Sequence, residues 1–134
     1  MTFRHYIAPV TRDVLLKRGA TWTPAFKLRY KGEPVSLDGM RARFVLRNVA
    51  AASDALVLTT ENGRIELEPA DSVSGDPQIG LVQFAVSSTD SAALSPSNAE
   101  MDLVGDLQLI DDTLAPQFVS IPISLRVKVL PSYL

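Results

Sequence analysis

Between Gly19 and Gly39 the chain alternates: Trp22, Phe26, Leu28 and Tyr30 fall on one parity, and Thr21, Thr23, Lys27 and Arg29 on the other. A period of two, aromatic on one side and polar on the other, is the signature of a half-buried β-strand. Lys31-Gly32-Glu33-Pro34 then interrupts the pattern and Asp38-Gly39 turns the chain again. A second alternating run follows, with Met40, Ala42, Phe44 and Leu46 opposed to Arg41, Arg43 and Arg47. No stretch shows the 3.6-residue period of a long helix, so the chain is committed to β structure.

The remaining segments extend that reading. Residues 1–12 carry no period and are expected to form an N-terminal arm, with residues 13–134 as one sandwich domain. Asp13 to Lys17 is a short predicted strand. Glu61-Asn62-Gly63 separates two apolar runs and predicts a hairpin placing Leu58 opposite Leu67 and Thr60 opposite Ile65. Residues 68–80 read as a surface loop, Val82, Phe84 and Val86 as the apolar face of a strand, and Ser88 to Leu94 as a single helical turn.

The last third can be given a register. Met101, Leu103, Gly105, Leu107 and Leu109 share a face, as do Val119, Ile121, Ile123, Leu125, Val127 and Val129. A turn centred on Thr113-Leu114 sets Gly105 against Ile123, Leu103 against Leu125, Met101 against Val127 and Asp102 against Arg126. Pro122 cannot donate to a ladder, which puts it at an edge or a bulge. The sum is an all-β, immunoglobulin-like β-sandwich of about seven to eight antiparallel strands. The Lys31 to Gly39 connection is expected to cross from one sheet to the other.

Chemistry has few candidates. The chain has 134 residues, no cysteine and one histidine, His5, so disulfides, thiolate sites and a typical zinc ligand set are excluded. His5 lies in the arm with no second group tied to it by spacing. Asp111-Asp112 lacks the regular oxygen-donor spacing of a calcium loop and reads as turn-forming. Trp22, at an inward parity, reads as a core plug rather than a sugar platform. No cofactor or enzymatic activity is expected. A formal charge of −2 argues against nucleic acid. No apolar run reaches the roughly 20 residues of a membrane helix, and no secretory signal is read at the N-terminus.

What remains is contact chemistry. Lys27, Arg29, Lys31, Arg41, Arg43 and Arg47 concentrate positive charge on an otherwise acidic chain. Lys27, Arg29, Arg41, Arg43 and Arg47 are candidate interface residues, and the arm adds Phe3 and Tyr6.

Gly19-Ala20-Thr21-Trp22, Phe26-Lys27-Leu28-Arg29, Gly32-Glu33-Pro34-Val35-Ser36-Leu37-Asp38-Gly39 and Ala42-Arg43-Phe44 resemble a pattern of small tailed-bacteriophage structural proteins. That family includes the N-terminal domain of upper-baseplate proteins and similar tail and neck proteins. Ala20 stands where the family has aspartate, and Met101 where it has tyrosine. The resemblance implies a non-enzymatic virion component of tail, baseplate or neck, made in the bacterial host cytoplasm. It would assemble with other virion proteins in a symmetric multi-copy array, without nucleic acid or membrane. A capsid-decorating module and a carbohydrate-binding or adhesion sandwich are the alternative readings for the same fold.

Overall fold

The computed structural model describes residues 9–51, 53–94, 100–114 and 117–131. Its elements in chain order are β1 (Val10–Lys17), β2 (Ala25–Lys27), β3 (Arg29–Tyr30), β4 (Glu33–Pro34), β5 (Arg41–Asn48), β6 (Ser53–Thr59), β7 (Ile65–Leu67), β8 (Leu81–Phe84), α1 (Ser88–Ala93), β9 (Met101–Asp111) and β10 (Phe118–Leu130). One sheet runs β1-β10-β9-β5-β6, a second β2-β8-β7, and β3-β4 form a two-stranded ribbon. A sheet built on β10, β9 and β5, widened by β6 and packed over β2-β8-β7, is the strand arrangement of an immunoglobulin-like sandwich of the variable type. The eight strands of the two main sheets agree with the sequence expectation, with one exception in direction: β1 pairs with β10 in parallel. β1 also starts at Val10, three residues before the expected strand at Asp13.

Aromatic rings join the layers. Phe44 of β5 and Phe84 of β8, both wholly buried, lie 4.8 Å apart between centroids. Phe26 and Trp22 meet Phe84 edge-on at 5.4 and 5.9 Å. Trp22 is the expected core plug, 8% exposed and bridged through its backbone to Val86. Alternation assigns faces correctly along this segment: Leu28 is buried and Phe26 and Tyr30 half-buried, while Thr21, Thr23, Lys27 and Arg29 are exposed. The connection after β4 crosses from the β2 layer to the β5 layer, as its length implied. Glu68 pins that crossover, its Oε2 accepting the backbone N–H groups of Gly80 at 2.9 Å and Leu37 at 3.2 Å. The expected surface loop and the helical turn are both present, the latter capped by Ser87, whose hydroxyl accepts from Asp90 N–H.

The hairpin expected at Asn62-Gly63 does not form, because β6 and β7 belong to different sheets. Leu58 faces Phe44, Ile65 faces Phe84 and Leu67 faces Val82. A type I′ turn needs positive φ at both central residues. Gly63 has it, at 78°, and Asn62 does not; the two-residue positive-φ turn lies instead at Lys31 (51°) and Gly32 (83°), between β3 and β4. Asn62 uses its side chain. Its amide accepts from Thr59 N–H at 3.0 Å and donates to Val57 C=O at 2.9 Å, taking up two backbone groups of the outermost strand β6.

The β9–β10 hairpin forms with its register two residues away from the expected one. Gly105 faces Leu125, Leu103 faces Val127 and Met101 faces Val129. A bulge between Ser120 and Ile123 opposes two residues to one and holds Pro122, which places that proline as expected. It also flips parity, so Ser120 is buried while Val119 and Ile121, expected inside, are 46% and 37% exposed. Asp102 consequently faces Lys128 rather than Arg126, and Arg126 pairs with Asp13 of β1 at 2.9 Å.

Candidate protein-contact surfaces

Outward residues of the five-stranded sheet fall into transverse rows. One row crosses every strand: Asp13, Arg126, Val104, Arg47 and Asp54 are successive register partners. Its outer pairs are closed, Arg126 to Asp13 at 2.9 Å and Arg47 to Asp54 at 3.2 Å. Val104, 37% exposed, sits between the two arginines. A groove of about 510 Å³ on one side of this valine is lined by Arg43, Val45, Arg47, Asp106 and Gln108. On its other side a groove of about 430 Å³ runs between Val104 and Leu15, which is 66% exposed. Ser124 donates to Asp106 at 2.6 Å and Lys128 pairs with Glu100 at 3.1 Å, which holds the lysine above its ordinary pKa. The face therefore carries closed ion pairs around apolar centres, and among the described residues Arg43 has no acidic partner. These pairs are exposed and add little to stability.

Two ion pairs serve the frame. Arg41 donates to Asp112 at 2.5 Å, and Gln117 also donates to that carboxylate; Asp112 is held below its ordinary range mainly by Arg41 and secondarily by Gln117. Arg64, just before β7, clamps Asp90 of α1 through two bonds of 2.8 and 3.1 Å. That guanidinium holds Asp90 below the usual 3.8. The unfolded chain then takes up the Asp90 proton at higher pH than the folded one, so this contribution is complete above the ordinary carboxylate range and is lost as pH falls through the depressed value. Asp90→Asn is expected to lower stability by about 1 kcal/mol at neutral pH and to flatten the acid limb of the stability profile. Urea denaturation at a series of pH values checks this; a variant with the wild-type acid limb would remove Asp90 from the acid response.

The candidate basic residues do not form one surface. Lys27 lies on β2 and Arg29 on β3, whereas Arg43 and Arg47 project from the outer side of β5 in the opposing layer. Arg41 and Arg47 are engaged by Asp112 and Asp54. Phe3, Tyr6 and His5 lie outside the described residues. Leu15 and Val104 on the outer face and Arg12 beside β2 were not expected from sequence, and Arg126 was expected outside but with Asp102 rather than Asp13 as its partner. An outward leucine or valine breaking strict alternation was the available signal for Leu15 and Val104, and only the β1–β10 pairing identifies Arg12 and the Arg126–Asp13 pair. Among the described residues no three histidine, aspartate or glutamate side chains gather in a way that would hold a metal. No helix among them is long and apolar enough to cross a membrane. No protein-family model matches the chain, and no curated protein matches it.

Proposed function

We propose that this protein is a non-enzymatic structural component of a tailed-phage virion, placed at tail, baseplate or neck and assembled through protein contacts. The observation that carries the reading is the outer face of the five-stranded sheet, where Leu15 and Val104 stand exposed amid paired charges. Apolar groups ringed by polar ones suit a protein-contact surface better than bulk solvent. The resemblance of residues 19–44 to phage structural proteins supplies the context. A glycan-binding sandwich would draw on exposed aromatic rings, and here Trp22 is buried while half-buried Tyr30 has Lys31 Nζ 5.5 Å above its ring.

The test is co-expression with the products of the neighbouring reading frames, read by mass photometry. Arg43→Glu combined with Val104→Asp is expected to weaken assembly about tenfold or more, a loss of roughly 1.4 kcal/mol. Exposed positions of this kind are expected to move folding stability by only about 0.5 kcal/mol. Absence of any complex with those products would sink the virion reading. An equal loss of folding stability would assign these two residues to the fold instead.

A further inference from the structure

The edges β1 and β2 of the two main sheets lie on the same side of the sandwich and leave a seam of about 450 Å³ between them. Its floor is apolar: Phe26 and Leu28 from the β2 segment, Ile123 from β10 and the partly exposed Val10. Its rim is cationic, formed by Arg12, Lys27 and Arg29, all exposed, and among the described residues no carboxylate lines it. Among the described residues no acid pairs with any of the three; Arg29 donates only to the backbone of Gly32, at 3.2 Å. This contrasts with the outer face, where Arg47 and Arg126 are each neutralised by an aspartate.

We infer that the seam receives an extended acidic segment of another protein. Three features select that occupant. The unopposed cations call for carboxylates, and burying them against an apolar floor strengthens the attraction. Edge strands present backbone N–H and C=O groups on their free side, which favours an added strand over a compact ligand. Lys27 and Arg29 are two residues apart, so an arriving strand would meet them with carboxylates at alternate positions while its other side chains turn to Phe26, Leu28 and Ile123. The chain's own first eight residues are poorly matched, since they carry Arg4 and no acidic side chain. The inference rests on the seam's chemistry and stands apart from the virion reading.

Fluorescence anisotropy of the full chain with a labelled octapeptide alternating glutamate and leucine tests it, with a lysine-for-glutamate peptide as comparison. The acidic peptide is expected to bind and the basic one not to. Lys27→Glu with Arg29→Glu is expected to weaken binding about tenfold or more, whereas Arg43→Glu leaves it unchanged. Should the double variant fold poorly, salt decides: raising ionic strength to about 0.3 M is expected to weaken wild-type binding several-fold through screening. No binding by the wild-type chain overturns the inference, whatever fills the seam. So does equal binding of both peptides, or an affinity indifferent to charge reversal and to salt. Binding of phosphatidylserine vesicles through the same residues without peptide binding would replace a protein segment by a membrane surface.

Discussion

Phe84→Ala is expected to destabilise the fold by about 3–5 kcal/mol, a large part of the roughly 5–15 kcal/mol that holds a domain of this size together. Phe84 is wholly buried and touches the rings of Phe44, Phe26 and Trp22 at 4.8, 5.4 and 5.9 Å. Its removal leaves a cavity where the layers meet, and the three neighbouring rings lose their common partner. Urea denaturation measures the effect. A cost below about 1 kcal/mol would mean that the layers close over the gap, and that the aromatic cluster is not what fixes their spacing.

The second large effect reverses a usual sign. Replacing glycine by alanine within a regular element normally helps by roughly 0.5–1 kcal/mol. Gly105→Ala is expected instead to cost about 1–3 kcal/mol by overpacking. A Cβ at Gly105 would lie 2.5 Å from Phe44 Cζ and 2.8 Å from the carbonyl oxygen of Val45. Phe44 cannot swing aside, because Phe84 stands against it at 4.8 Å, and the Val45 oxygen moves only if β5 draws away from β9. Phe44→Leu removes the ring atoms that clash, so the double variant should be less destabilised than the two single costs added together. Strict additivity in chemical denaturation would show that the Phe44 ring is not the obstacle.

Gly105 illustrates what could be read from residues alone. Its place on an inward face opposite something large was legible from the alternation around it, but the large neighbour is Phe44 across β5 rather than Ile123 across β10. Side-chain parity is a local property, and it assigned Trp22 to Tyr30, Met40 to Leu46 and Met101 to Leu109 to their faces. Register is not local. Pro122 announced a bulge, yet the extra residue it absorbs flips Val119 and Ile121 outward, and counting back from a guessed turn could not include that flip. At Asn62-Gly63 the dipeptide is compatible with a hairpin, and the outcome was decided by the side-chain amide of Asn62 and by Ile65 facing Phe84 in the other layer. The contact surfaces were less legible still. Lys27 and Arg43 are close in sequence but belong to opposed sheets, while Arg12 joins Lys27 only because β1 lies alongside β10.

The position of β10 between β1 and β9 has a consequence for how the protein is made. Among the described residues β1 pairs only with β10, so it must wait while more than a hundred residues emerge from the ribosome. Until then Val14 and Leu16 on one side, and Leu103 and Leu107 on the other, lack the strand that joins them. Contacts so distant in sequence slow folding and prolong the exposure of unpaired strands. The five-stranded sheet is thus completed only once β10 has emerged, and that one strand closes both gaps together.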